Sequence, residues 1–229
     1  ACAAGLETII VSDGAVNASS DTFSIKISGK GGHGGRPHET VDAVVVGSLL
    51  VTALQTIVSR EVNPAHPSVI SVGTFQAGTA SNVIADQAEL TGTIRAQDPD
   101  VRLYLHDSIQ RIAAAVAQLH GAQVEANISV GTPPLINSPA MASLAREAAT
   151  QTVGEDAVLP LAVANMGAED FAYYLERIPG CYVRFGTVVE GQEAWPAHSS
   201  RFDFDERTLG FAAAYYHAIA RVASHHLLE

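Results

Sequence analysis

The chain has 229 residues, of which 47% are hydrophobic and 16% charged, and it carries a formal net charge of −11. That is globular composition, with room for one large domain or two small ones, and an acidity that repels phosphate backbones and argues against a nucleic-acid partner. No run of eighteen apolar residues occurs, which argues against a membrane span, and the opening "ACAAGLETIIVSDG" lacks the basic n-region and apolar core of a signal peptide.

"DTFSIKISG" alternates Phe23, Ile25 and Ile27 with polar neighbours and predicts a half-buried strand. A glycine-rich stretch, "GKGGHGGRPH", follows. In "HETVDAVVVGSLLVTALQTIVSR" the apolar residues recur in steps of three and four, which predicts a helix with Pro37 near its start. "SVISVGTFQAG" and "ADQAELTGTIRAQ" predict two strands joined by "GTASNV". "DPDVRLYLHDSIQRIAAAVAQLHG" predicts a helix opened by aspartates and closed by glycine, and "AQVEANISVG" alternates again. Residues 22–131 therefore read β-α-β-β-α-β, the order of a ferredoxin-like unit with two helices on one face of a four-stranded antiparallel sheet.

After the proline-rich "TPPLINSP", a helix is predicted in "PAMASLAREAATQTVG" and a short strand in "AVLPLAVANMG". A short helix follows in "AEDFAYYLERIPG", a strand in "CYVRFGTVV" and a closing helix in "DERTLGFAAAYYHAIARVAS". This region has too few strands for a sheet of its own and reads as part of an α/β domain.

Several residues are candidates for chemistry. The glycine stretch lacks the order of a phosphate loop, because Lys30 precedes the glycines and no GxxxxGK[ST] occurs; Gly29, Gly31 and Gly34 match a dinucleotide fingerprint only formally. His33 and His38 are not spaced to share a helix face, which weakens a metal reading. The stretch reads either as a flexible turn or as a bare loop from which His33 reaches outward to donate a hydrogen bond to developing charge. Asn82 either serves its own turn or faces a ligand. Arg95, at a strand end, is either a solvated charge or a planar fork for a carboxylate. His198 is either a surface histidine or a metal ligand, and Glu169 and Asp170 either favour a helix dipole or line a site. The two cysteines, Cys2 and Cys181, form no disulfide framework and fit a reducing, cytoplasmic compartment.

Four segments occur in one order: "GKGGHGGRPHETVDA", "SVGTFQAGTASNVIAD" with "LTGTIR", "MGAEDFAYY" and "HSSRFDFDE". The set resembles the M20 metallopeptidase superfamily. It is most similar to the amidohydrolase branch of hippurate hydrolases, N-acyl-amino-acid amidohydrolases and indole-acetyl-amino-acid hydrolases, and the likeness runs from about Thr8 to about Val222. The resemblance implies an α+β / α/β architecture. Residues 1–21 would lead in from a catalytic domain, 22–131 would form a βαββαβ lid that dimerises, and 132–229 would form the C-terminal portion of the catalytic domain. It implies that His33 polarises the scissile carbonyl, usually in the partner's site, that Asn82 and Arg95 bind the substrate's carboxylate end or the tetrahedral intermediate, and that His198 is a metal ligand. Glu169 matches a family motif without a definite role.

The resemblance has gaps. The family's other ligands and its general-base glutamate lie upstream of the lid, and Cys2 lacks the neighbouring histidine and aspartate of that motif. Ala85 stands where relatives usually have proline. The expectation is a fragment of a metal-dependent amidohydrolase acting on N-acyl amino acids or small peptides. It would be inactive alone, with two divalent ions (Zn, Mn or similar) in the intact enzyme, none stably bound by this chain, and a homodimer formed through the lid. The alternative is a non-catalytic dimerisation or carboxylate-binding module that keeps Asn82 and Arg95.

Overall fold

The computed structural model describes residues 4–188, 191, 193 and 195–226, so Cys2 lies outside the described residues. In chain order the elements are β1 (Ile9–Ile10), β2 (Gly14–Asn17), β3 (Ser20–Ser28), β4 (Gly32–His33), α1 (Ala43–Thr56), β5 (Ser68–Ala77), β6 (Val83–Ile84) and β7 (Gln87–Ala96). They continue with α2 (Pro99–His120), β8 (Gln123–Thr132), β9 (Leu135–Asn137), α3 (Pro139–Val153), β10 (Val158–Leu159), α4 (Ala172–Leu175), β11 (Arg184–Phe185) and α5 (Thr208–His226). The chain divides into two compact units. One comprises Asn17–Leu135 with Asn165–Asp170; the other comprises Ala1–Val16, Ile136–Ala164 and Phe171–Glu229.

The first unit is the ferredoxin-like sheet that the strand pattern predicts. Its order is β5-β7-β3-β8, and each neighbouring pair is antiparallel. Alternation sends Phe23, Ile25 and Ile27 of β3, with Leu90 and Ile94 of β7, to one face. There they meet Val46, Leu50 and Leu54 of α1 and Leu105, Ile109 and Ile112 of α2. Burial of such side chains contributes roughly 1.5–3 kcal/mol each. The opposite face carries Thr22, Ser24 and Lys26 of β3 and Thr91, Thr93 and Arg95 of β7. Gly92 is required where it stands, because a side chain there would collide with the Phe23 ring and the Ser71 carbonyl.

A buried ionic knot ties β3 to α2 and β8. The Asp21 side chain is fully buried; Arg102 donates to its Oδ2 from Nε at 2.8 Å and to its Oδ1 from Nη2 at 2.6 Å. His106 Nε2 lies 2.8 Å from Oδ2, and the Gly131 amide donates to Oδ1 at 2.8 Å. Burial pushes the Asp21 carboxyl up, but the hydrogen bonds from Arg102, Gly131 and His106 together outweigh it and hold the group below the usual carboxylate range.

Helix α1 begins later than its periodicity suggests. Lys30 and Val41 exchange backbone hydrogen bonds at 2.9 and 3.0 Å, which hold Val41 in an extended bridge rather than in the helix. Asp42 then caps the helix, accepting from the Val44 and Val45 amides. Pro37 instead opens a separate 3-10 turn, Pro37–Glu39. Segment Ala43–Glu61 has a mean hydropathy of 1.6 and is, by length and composition, apolar enough to cross a membrane. It is no unbroken apolar run, because Ser48, Thr52, Gln55 and Thr56 interrupt it. Each of those side chains donates back to a helix carbonyl, so its donor is satisfied within the helix. Its inner stripe, Ala43, Val46, Leu50 and Leu54, is core of the sheet unit.

In the second unit β1 is the middle strand of a three-stranded sheet, parallel to β10 and antiparallel to β11. Ile9 and Val11 pack with Ala145, Ala148 and Ala149 of α3 and with Tyr215 and Val222 of α5. The short strands β1, β2, β4 and β6 carry no period long enough to read. Helix α4 is only four residues, because the chain stays irregular through the "GAED" segment ahead of it.

Candidate functional site

The glycine stretch is a backbone device. Gly32 and His33 of β4 pair with Ile84 and Val83 of β6. The Gly34 amide donates to the Asn82 carbonyl at 2.8 Å, and the Arg36 amide to the His33 carbonyl at 2.8 Å. None of the glycines from 29 to 35 has the positive φ that glycine uniquely permits. Their use is close approach: a Cβ on Gly34 would stand 2.9 Å from the Asn82 carbonyl oxygen. The outcome is that His33 and Asn82, distant in sequence, share one small ladder, and both are exposed. The Gly35 amide donates to His33 Nδ1 at 2.9 Å. His38 is exposed and stands 3.6 Å from Glu39.

Arg95 is elsewhere. It sits on the polar face of the sheet near the end of β7, opposite Val69 of β5. The β4–β6 ladder immediately precedes the Gln87 end of β7, and at about 3.4 Å per residue Arg95 is about 27 Å up the strand from Gln87. Arg102, Arg111, Arg146 and Arg207 are each taken up by an acid, and Arg95 is in none of those pairs.

A segment whose place sequence reading could not foresee lies at the same end of the sheet. Asn165–Asp170 belongs to the sheet unit, although it is far from it in the chain. The Ala18 amide donates to the Asn165 carbonyl at 2.9 Å, and Asn17 Nδ2 donates to the Gly167 carbonyl at 3.0 Å. Gln97 Nε2 reaches Met166 Sδ at 3.5 Å. Glu169 therefore belongs to the Arg95 end of this unit. The "MGAED" motif was the available signal, but nothing in its pattern says where it docks.

His198 lies in the second unit, exposed, at φ 71. A left-handed histidine is uncommon and is the sort of backbone outlier that gathers at functional loops. Among the described residues no group of three or more His, Cys, Asp or Glu side chains converges as a metal site. A catalytic divalent ion needs about three protein ligands, so the described residues do not fit one, and His198 stands as a single donor.

A family profile described as a peptidase dimerisation domain, M20_dimer, matches residues 17–120. The chain is 43% identical over 209 residues to the protein YhaA of Bacillus subtilis, an alignment covering 91% of this chain and 52% of that one. It is 35% identical over 207 residues to the hippurate hydrolase of Campylobacter jejuni, covering 90% of this chain and 53% of that enzyme. The solved structure of Bacillus subtilis YxeP, described as a dinuclear metal-binding peptidase from the M20 family, superposes with a TM-score of 0.77 at 31% identity. That superposition covers 96% of this chain and 54% of YxeP. The chain spans about half the length of the curated relatives it matches.

Proposed function

The chain belongs to the M20 peptidase family through its dimerisation domain, and from that premise we propose that its parent protein hydrolyses the amide bond of N-acyl amino acids or small peptides. Residues 22–131 are then the lid, with 1–21 and 132–229 contributing to the catalytic domain. Arg95 holds the substrate carboxylate in its planar fork. His33, with Asn82 beside it, donates to the carbonyl oxygen as negative charge develops there.

The observation that carries this reading is the distance along β7. About 27 Å separates the Arg95 position from the Gln87 end, which the chain enters from the His33–Asn82 ladder. No amino-acid-sized ligand spans that, so one lid does not supply both ends of a site. A homodimer resolves the difficulty: Arg95 of one lid works with the partner subunit's His33. The outer face of α1 supports such a dimer, since Val44, Val45 and Leu49 are 41%, 47% and 43% exposed. Strand β5 is an unpaired edge beside it.

YxeP is described as a dinuclear metal-binding peptidase, and the family resemblance implies two divalent ions in the intact enzyme. Of the ligands, the resemblance assigns His198 alone to this chain, and among the described residues no three donors converge, so we assign this chain no metal-dependent step and expect it to be inactive by itself. Free Cys181 is in keeping with a cytoplasmic protein.

The test is a mixed-dimer assay in the longer parent polypeptide, with hippurate and other N-acyl amino acids as substrates. His33→Ala and Arg95→Ala should each abolish most activity. Subunits exchanged at random give half mixed dimers, each with one intact site, so about a quarter of wild-type activity should return. No recovery despite verified subunit exchange refutes the composite site. No hydrolysis of any panel member by the unmodified parent leaves the carboxylate-binding module as the better reading.

A further inference from the structure

Nδ1 of His33 accepts the Gly35 amide hydrogen at 2.9 Å. A ring nitrogen that accepts a hydrogen bond carries no proton, and in a neutral imidazole the proton then sits on the other nitrogen. We propose that Gly35 is a positioning residue that holds His33 in the Nε2–H tautomer, so that the ring presents a donor at its outer nitrogen. The proposal rests on the reading of His33 as the group that meets the scissile carbonyl.

The turn is built so that this amide is available. The His33 backbone is pinned to Val83, the Gly34 amide is taken by the Asn82 carbonyl, and the Arg36 amide is taken by the His33 carbonyl. Gly35 follows the ring closely: a Cβ there would stand 3.2 Å from Nδ1 and 3.4 Å from Cε1. An exposed imidazole has a broad, roughly two-fold χ2 and exchanges its tautomers. Stabilising an oxyanion requires a proton on one particular nitrogen, in place before the charge develops. The other tautomer would set the Nδ1 proton against the Gly35 amide hydrogen and turn a lone pair toward the developing charge. Gly35 thus selects the tautomer that can serve, through its backbone and without a side chain.

The experiment uses this chain as it is, labelled with nitrogen-15 histidine and observed above the titration of imidazole. His33 should show Nδ1 in the unprotonated range and Nε2 in the protonated range, without averaging between them. Gly35→Pro removes the donor and should give the averaged spectrum of a free imidazole. The remaining amide fingerprint reports whether each variant folds. A second measurement needs no variant at this position. The Gly35 amide proton of the wild type should shift in step with protonation of His33, and this step should vanish in His33→Gln. A protonated Nδ1, an unchanged tautomer in folded Gly35→Pro, or a Gly35 amide indifferent to His33 protonation would each overturn the proposal. Failure here leaves the amidohydrolase reading standing on its mixed-dimer test. Failure of that test leaves the tautomer lock as a property of the turn.

Discussion

Asp21→Asn tests whether one buried carboxylate holds the end of the sheet where Arg95 sits. Asp21 pairs with Ile94, the residue before Arg95, and its oxygens accept from Arg102, His106 and Gly131. Asparagine keeps the shape but removes the charge and sets an amide among donors. The Arg102 side chain, 11% exposed, is left without its carboxylate. Removing one partner of a buried pair costs about 3–5 kcal/mol, and at roughly 2–4 °C per kcal/mol for a chain of this size Tm should fall by about 6–20 °C. The single tryptophan, Trp195, belongs to the other unit and reports the wrong structure. The assay is therefore native-state hydrogen exchange at the Phe23, Ile25 and Ile27 amides. The folded pKa of Asp21 lies below its ordinary 3.8, so the charge's contribution is fully present above that value and is lost as pH falls through the folded pKa. The gap between wild type and variant should narrow in that acid range. A loss under about 1 kcal/mol at neutral pH, or a gap that ignores pH, would refute the reasoning. Adding Arg102→Met should recover part of the stability by removing the stranded charge.

Val45→Glu with Leu49→Lys places charge on the outer face of α1 and should turn a dimer into a monomer at micromolar concentration, read by sedimentation velocity, with far-UV circular dichroism unchanged. Asp42→Ala removes the cap accepting from Val44 and Val45 and should cost about 1 kcal/mol in urea unfolding. Burial pushes the Cys181 thiol up to about 11, with Arg146 opposing and Asp13 adding. In a Cys2→Ser background its alkylation at neutral pH should be about 100-fold slower than after unfolding, and a rate equal to the unfolded one would show the thiol is not buried as described.

Much of the sheet unit is legible because its signals are local. The alternation of Phe23, Ile25 and Ile27, the aspartate-capped start of α2 and its left-handed Gly121 end each depend on neighbours a few residues away. The α1 boundary is less legible. The apolar period runs through 41, but the Lys30–Val41 bridge claims that residue for an extended conformation. The glycines from 29 to 35 suggest conformational freedom by composition, whereas their actual use is close approach, Gly31 and Gly34 to the Ile84 and Asn82 carbonyls and Gly29 to the Val41 carbonyl, which depends on partners the stretch does not contain. The parallel β1–β10 pair leaves no local trace at all, since two-residue strands have no period.

By itself the sequence determined the order of elements in the sheet unit and the motif set that marks the family, because caps, turns and periods are short-range and steric. Only the tertiary structure decided that the His33 and Asn82 segments pair in one ladder, that Arg95 stands at the other end of β7, and that Asn165–Asp170 folds back beside it. Strand register and docking are settled by many weak contacts summed over the whole unit, and no one residue in the pattern carries that sum.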